Sequence, residues 1–147
     1  MRIGNLDSRL TLFRDGGAVD VAEASEEQFS PDPQAVFARW DEFRQWAAQN
    51  PGTPRPFSLA ALGPPVPRPE QVFGIGANYR NHAAEGGLEV PEWPMVFTKY
   101  VSSFAAPTDV ITLPADTVDW EVELVVVVAR AAFHVPAEQG WDYVAGL

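Results

Sequence analysis

Cysteine is absent from the 147-residue chain, and lysine occurs once, at Lys99. The lack of cysteine excludes disulfides, thiolate nucleophiles and cysteine-based zinc sites. Ten basic residues stand against twenty acidic ones, which gives a formal charge of −10. Because phosphate backbones and anionic lipids repel so acidic a chain, we expect neither nucleic acid nor membrane as a partner.

Long apolar runs are also lacking. The longest, 124–129, is far too short to cross a bilayer, and residues 1–9 lack the apolar stretch of a secretory signal. We therefore expect a cytoplasmic protein. A hydrophobic content of 46% and a charged content of 20% are typical of a globular chain, which excludes wholesale disorder.

Hydrophobic periodicity predicts the elements of the first half. Alternating apolar residues predict two short strands joined over 14–17. Apolar residues at steps of three and four predict a helix over 33–48, with Asp32 as N-cap and Pro33 in the first turn. We interpret the aromatic stripe of this helix as core packing rather than a cofactor site.

Proline and glycine mark the chain further on. Seven of the fourteen prolines fall within 51–69, which excludes a continuous helix or a central strand and predicts a connector. A short apolar run follows at 71–75. Strands are predicted over 95–100 and, with the strongest signal in the chain, over 118–129.

Three carboxylates alternate along the last of these predicted strands: Asp119, Glu121 and Glu123. On a strand, side chains two residues apart lie on the same face, so the three would form one acidic row. Such oxygen ligands suit Mg²⁺ or Mn²⁺, and the apolar run after them predicts a strand that enters the core. The alternative is an edge strand whose acidic face is simply solvated.

His82 and Glu85 are the second candidate group. A spacing of three brings both side chains to one face of a helical turn, where a carboxylate can orient an imidazole that activates water. Glycines at 74, 76, 86 and 87 would suit a short movable lid. The alternative is an exposed turn on which the two residues coincide by chance. His134, which has no carboxylate near it in sequence, is interpreted as structural.

Several familiar motifs are absent. Gly74 and Gly76 begin a dinucleotide-binding pattern, but its third glycine position is Tyr79 and no βαβ unit surrounds it. The sequence also has no G-x-S-x-G, no H-E-x-x-H and no phosphate-binding loop. These absences leave serine hydrolases, zinc proteases of that type and P-loop enzymes without support.

The motifs that are present resemble the fumarylacetoacetate hydrolase family. G-x-N-Y-x-x-H-x-x-E at 76–85, F-x-K at 97–99 and D-x-E-x-E-L at 119–124 occur in the family's order and spacing. The resemblance runs from about residue 64 to residue 147. It implies an α+β, mainly β chain, with a small N-terminal domain over 1–63 followed over 64–147 by part of a mixed β-roll.

The resemblance also implies an activity. It is the divalent-metal-dependent cleavage of a carbon–carbon bond in an acylpyruvate-like 2,4-dicarbonyl acid, or a related decarboxylation or isomerisation of a keto acid. Glu121 and Glu123 match the family's ligands for Mg²⁺ or Mn²⁺, and His82 and Glu85 match its water-activating pair. Lys99 and Tyr79 match substrate-binding positions, and Asp119 a structural one. Homodimers are common in the family.

The resemblance further implies that family members continue past the run at 143–146 into a segment with a third metal-binding aspartate. We therefore expect this chain to hold two of the three ligands and about half of the catalytic domain. Two other interpretations of the chain's function stay open. The chain could be a catalytically silent binding or structural unit, or an acidic β-rich domain with solvated carboxylates.

Overall fold

The computed structural model describes residues 1–49 and 52–147. They form two compact units, one containing 1–67 and 106–147 and the other containing 68–105. Short helices and small sheets occur along the described chain, which confirms the expected α+β class. The strand pairs within the described residues are antiparallel, and the mixed β-roll stays a prediction. Pro51, the first residue of the predicted connector, lies outside the described residues. The domain boundary at 63/64 stays a prediction.

The first unit is built on a four-stranded antiparallel sheet with the order β3-β2-β1-β4. Its strands are β1 (Arg2–Leu6), β2 (Arg9–Arg14), β3 (Gly17–Asp20) and β4 (Leu62–Gly63). The prediction of two strands is wrong in number, because a two-residue turn at Asp7 and Ser8, both with positive φ, divides the first of them. The second turn is Asp15–Gly16, and Gly17 already pairs with Arg14.

The proline-rich segment does more than connect. Arg55 exchanges two backbone hydrogen bonds of 2.8 Å with Ala18, and β4 lies at the edge of the sheet beside β1. A 3-10 turn at Leu59–Ala61 precedes β4. Over 52–69, the described part of the segment, the predicted absence of a continuous helix or central strand is confirmed, but the segment is also part of the sheet.

The predicted helix over 33–48 is a 3-10 turn, Ala35–Arg39, followed by the α-helix α2, Trp40–Gln49. A shorter helix, α1 (Val21–Ala24), follows β3. The side chain of Asp32 accepts the Gln34 N–H at 3.0 Å, and its carbonyl accepts the Ala35 N–H at 3.1 Å. The second bond spans three residues rather than four, so the chain begins this segment with 3-10 geometry.

The core of the first unit lies between the sheet and the helical segment. Its buried members are apolar: Leu10, Leu12, Val19, Val21, Phe29, Val36, Trp40 and Phe43. Phe43 is fully buried, and its ring packs against Phe29 and Trp46 at centroid distances of 5.5 and 5.9 Å. The interpretation of the aromatic stripe as core packing is confirmed.

The second unit contains a two-stranded antiparallel sheet, β5 (Phe73–Gly76) with β6 (Met95–Thr98). Helix α3 (Arg80–Glu85) lies between them in sequence. The predicted strand over 95–100 is thus confirmed for its first four residues, and a 3-10 turn follows at Val101–Ser103.

The strand predicted over 118–129 is wrong for most of its length. Only β7 (Val127–Val128) is extended and paired, with β8 (Val144–Gly146) after a 3-10 segment at Ala137–Tyr143. A strand requires a partner for its backbone groups, and over 118–126 no strand is formed. The apolar side chains of this stretch are exposed, so the predicted entry into the core is also wrong. Within the described ranges, no helix is both long and apolar enough to span a membrane.

Candidate functional site

Helix α3 positions the two predicted catalytic residues. It begins after Tyr79, whose carbonyl accepts the Ala83 N–H at 3.0 Å. It ends in a Schellman motif, in which the Leu88 N–H bonds to the Ala83 carbonyl at 2.8 Å and the Gly87 N–H to the Ala84 carbonyl at 3.1 Å. Gly87 has a φ of +66°, which a residue without a Cβ adopts without strain. The glycine pair therefore has a definite local role in ending α3.

The predicted helical turn for His82 and Glu85 is confirmed. Residues three apart on an α-helix share a face, and both of these side chains are exposed. Ala83, between them in sequence, is buried at 1% exposure. An exposed imidazole with a carboxylate one turn away can exchange protons with water or with a small bound acid.

Tyr79 and Lys99 lie in the same unit. Tyr79 is the N-cap residue of α3, with extended backbone angles and a half-exposed ring. The Lys99 N–H extends the β5–β6 pairing by donating to the Val72 carbonyl at 3.0 Å. Its ammonium nitrogen lies 5.9 Å from the centroid of the Phe97 ring. Neither position is tested for substrate binding, and both stay predictions.

Two shallow hollows occur in the second unit. One, of about 200 Å³, is lined by Lys99 together with Glu70, Phe73 and Tyr100. The other, of about 160 Å³, is lined by residues that include Gly76, Asn78, Pro91 and Glu92. Asn78 and Glu92 line this second hollow but were not among the predicted site residues. Asn78 belongs to the G-x-N-Y motif beside Tyr79, and this motif was the sequence feature that could have indicated it.

Glu121 and Glu123 lie in the first unit, on the irregular stretch before β7, and both are exposed. The predicted acidic row on a strand face is therefore wrong, because that geometry requires an extended, paired backbone. The Asp119 carboxylate instead accepts the N–H of Trp120 at 2.8 Å. His134 lies in a bend, with a φ of +49°, and its ring packs edge-on against Phe133.

Over residues 1–49 and 52–147, no three or more histidine, aspartate or glutamate side chains are grouped so that they could hold a metal ion. The chemistry of the two glutamates nevertheless fits Mg²⁺ or Mn²⁺. Mg²⁺ is commonly held by one or two carboxylates together with waters and substrate oxygens.

The C-terminal part of the chain matches a known family. Residues 71–147, just over half of the chain, match the model of the C-terminal domain of fumarylacetoacetate hydrolase. The chain belongs to the fumarylacetoacetate hydrolase family, as its motifs predicted.

Known relatives extend the match. Over 105 residues the chain is 42% identical to the mitochondrial oxaloacetate tautomerase Fahd2a of Rattus norvegicus and 41% identical to the mitochondrial oxaloacetate tautomerase FAHD2A of Homo sapiens. Each match covers 70% of this chain and 33% of the relative. These relatives are enzymes by name.

A solved structure is similar over nearly the whole chain. It is a crystal structure of a protein assigned as HpcE from Mycobacterium smegmatis, with a TM-score of 0.90 and 47% identity. The match covers 98% of this chain and 52% of that one. The chain thus spans about a third of the length of the curated relatives and about half of the solved chain.

Proposed function

We propose that this chain is part of a divalent-metal-dependent enzyme that cleaves a carbon–carbon bond in an acylpyruvate-like 2,4-dicarbonyl acid. The observation that carries the proposal is the placement of His82 and Glu85 on one helical turn inside the segment that matches the family. We also propose the domain organisation given above, with residues 64–147 supplying part of a mixed β-roll in the whole protein.

The proposed chemistry begins with water. A ring nitrogen of His82 accepts a proton from the water, and the Glu85 carboxylate stabilises the imidazolium that results. The water oxygen bonds to the carbonyl carbon farther from the substrate carboxylate. The neighbouring carbon–carbon bond then breaks, its electron pair forms the enolate of a 2-keto acid, and this enolate takes up a proton. The products are a carboxylic acid and the 2-keto acid.

The remaining residues hold the substrate and the ion. The Lys99 ammonium and the Tyr79 hydroxyl suit the carboxylate of a keto acid, as a charge partner and a hydrogen-bond donor. Glu121 and Glu123 would hold Mg²⁺ or Mn²⁺. When bound, such an ion supplies stabilisation of the negative charge that develops on the substrate oxygens.

A second candidate is tautomerisation of a keto dicarboxylic acid. The printed name of the rat relative, 42% identical over 105 residues, favours it. This reaction moves one proton between carbon and oxygen through the same type of enolate, so the His82 and Glu85 pair would serve it without adding water. Decarboxylation of a related keto acid is a variant of this second candidate.

A third candidate is a silent structural or binding unit. It is favoured by the exposed, irregular stretch that carries Glu121 and Glu123, and by the lack of a three-residue metal group among the described residues. In this case neither reaction is accelerated by the 147-residue chain.

The three candidates are separated by one set of assays on the purified chain. Acetylpyruvate and oxaloacetate are supplied in turn with Mg²⁺, with Mn²⁺ or with a chelator. Pyruvate released from acetylpyruvate supports hydrolysis, and faster keto–enol exchange of oxaloacetate without cleavage supports tautomerisation. No acceleration of either reaction, together with no Mn²⁺ binding by calorimetry, overturns metal-dependent catalysis by the 147-residue chain itself and supports the silent unit.

The role of Glu121 and Glu123 as metal ligands is tested with a double variant and a matched control. We expect the double substitution Glu121→Gln and Glu123→Gln to abolish Mn²⁺ binding and metal-dependent turnover. The matched control is Glu138→Gln, an exposed carboxylate in the 3-10 segment Ala137–Tyr143. Equal Mn²⁺ affinity in the double variant and the control would contradict the assignment.

A further inference from the structure

The short hairpin of β7 and β8 is attached to the core of the N-terminal sheet and helix. The Ala129 N–H donates to the Tyr143 carbonyl at 2.8 Å, which closes the hairpin just after β7. Ala129 and Ala145, one from each side of the hairpin, pack against the buried cluster that includes Trp40 and Phe43. The hairpin therefore packs against a core whose residues lie more than 80 positions earlier in the sequence.

An ion pair reinforces this attachment. Arg130 Nη2 lies 2.6 Å from Asp41 Oδ1 and 2.8 Å from Asp41 Oδ2, across 89 residues of sequence. Asp41 stands in the first turn of α2, where a carboxylate also interacts favourably with the helix dipole. Both side chains are half exposed, so the pair alone contributes little. It adds a polar contact to a hairpin that the apolar contacts already hold.

The attachment is close in sequence to the two glutamates. Val127, the first residue of β7, is four residues beyond Glu123. A chain extends by at most about 3.6 Å per residue, so fixing Val127 confines the Cα atom of Glu123 to within about 14 Å of it. The stretch 118–126, which forms no strand, is thereby attached at its C-terminal end.

We propose that the N-terminal sheet and α2 act as an anchor for the segment that carries Glu121 and Glu123, and that Asp41 is a positioning residue for these carboxylates. This gives the N-terminal part of the chain a role in the metal site without any contact with the ion. The inference rests on the proposed function only for the identity of Glu121 and Glu123 as ligands. The anchor itself rests on the contacts of Ala129, Arg130 and Ala145.

The test compares charge reversals at neighbouring positions of α2 in the full 147-residue chain. Asp41→Lys breaks the pair with Arg130, whereas Glu42→Lys breaks a pair with Arg39 made inside the same helical segment. The two variants have the same net charge, and Glu42→Lys also removes a 3.4 Å hydrogen bond from Gln28 Nε2. Loss of the contact with Arg130 is therefore specific to Asp41→Lys. Asp41→Lys combined with Arg130→Glu restores an attractive pair with its signs exchanged.

Two measurements are made on each variant. Hydrogen exchange of the Ala129 amide reports the anchor, and titration with Mn²⁺ alone, followed by electron spin resonance, reports the carboxylates. We expect Asp41→Lys to speed Ala129 exchange and weaken Mn²⁺ binding, each by about three- to tenfold, as befits loss of an exposed pair and gain of a repulsion. Glu42→Lys should stay within about twofold of the unaltered chain, and the double variant should return to it.

Each other outcome counts against the inference. Equal Ala129 exchange in Asp41→Lys and Glu42→Lys overturns the anchor, and faster exchange with unchanged Mn²⁺ affinity overturns the positioning role. If the unaltered chain binds no Mn²⁺, the metal role of this chain and the positioning role of Asp41 are both overturned, while Ala129 exchange still decides the anchor. Asp41→Asn, which only removes the charge, replaces Asp41→Lys if the reversal prevents folding, with about a twofold effect expected.

Discussion

The side-chain amide of Asn5 donates a 3.1 Å hydrogen bond to the carbonyl of Pro64, 59 residues further along the chain. Asn5 is buried in β1, and its backbone pairs with Gly63 at the end of β4. A Cβ added to Gly63 would lie 2.7 Å from the Asn5 amide nitrogen, so the two segments are in close contact. This polar contact fixes the end of the proline-rich segment to the first strand.

Asn5→Ala should lower the free energy of unfolding by about 1–3 kcal/mol, because the half-buried Pro64 carbonyl loses its donor. Urea unfolding followed by tryptophan fluorescence measures the change. Gln45→Ala, an exposed position of α2, is the matched control and should change stability by less than about 0.5 kcal/mol. Equal stability of the two variants would show that the Pro64 contact contributes nothing.

The second prediction concerns acid stability. Arg9 lies beside Asp20, with Nη2 donating to Oδ1 at 3.1 Å, and this hydrogen bond lowers the pKa of the Asp20 carboxyl below its ordinary value. The Glu23 N–H, donated to the same carboxylate at 3.0 Å, acts in the same direction.

A group whose pKa is lower in the folded state stabilises the fold above its unfolded pKa, and this stability is lost as the pH falls. We therefore expect the chain to lose stability below about pH 5, as Asp20 and similar carboxylates are protonated. Arg9→Ala should lose less between pH 6 and pH 3 than the unaltered chain. Thermal unfolding at a series of pH values measures both slopes, and parallel curves would contradict the prediction.

The third prediction concerns Gly74. It is paired with Phe97 across β5 and β6, and a Cβ at Gly74 would lie less than 3 Å from three atoms of that ring. Gly74→Ala should therefore destabilise the chain by about 0.5–1.5 kcal/mol, because the exposed Phe97 ring has to turn away from its preferred rotamer. Adding Phe97→Leu should recover part of the loss.

Gly140→Ala is the control for this change, because no heavy atom lies within 4 Å of its added Cβ among the described residues. Chemical denaturation compares the three variants. If Gly74→Ala is as stable as Gly140→Ala, the close approach of Phe97 is not a constraint.

Two helices, α2 and α3, were predictable because each depends on a local pattern, whereas α1 (Val21–Ala24) was not predicted. The period of Val36, Trp40 and Phe43 predicted a buried face, and the spacing of His82 and Glu85 predicted a shared face on α3. Both patterns are complete within a few turns of chain. Sequence reasoning therefore located the buried stripe of α2 and the candidate catalytic turn.

The wrong strand predictions concern which parts of the chain pair in a sheet. The turn at Asp7 and Ser8 requires two positive φ values from residues that seldom adopt them, so it gave a weak signal. The edge strand β4 depends on pairing with β1, some 57 residues away, and not on its own two residues. The apolar alternation near Glu121 and Glu123 predicted a strand, but a strand forms only where its backbone pairs with a second strand. Within the described residues, β7 pairs with β8 and 118–126 forms no strand.

The last prediction tests the pair on α3. His82→Gln removes the group proposed to accept a proton and should lower kcat by about 10²- to 10⁴-fold, with KM changed little. Glu85→Gln should lower kcat less, because it removes the stabilisation of the imidazolium and not the base itself. Glu89→Gln, an exposed carboxylate just beyond the helix, is the matched control and should leave kcat unchanged.

The double variant His82→Gln with Glu85→Gln decides whether the two residues act together. If Glu85 works only through His82, the double variant should be no slower than His82→Gln, since residues that act as a unit have non-additive effects. If the two losses multiply, Glu85 has a separate role. The assay is the substrate set defined for the proposed function, run at saturating metal, so that kcat reports proton transfer and not occupancy of the ion.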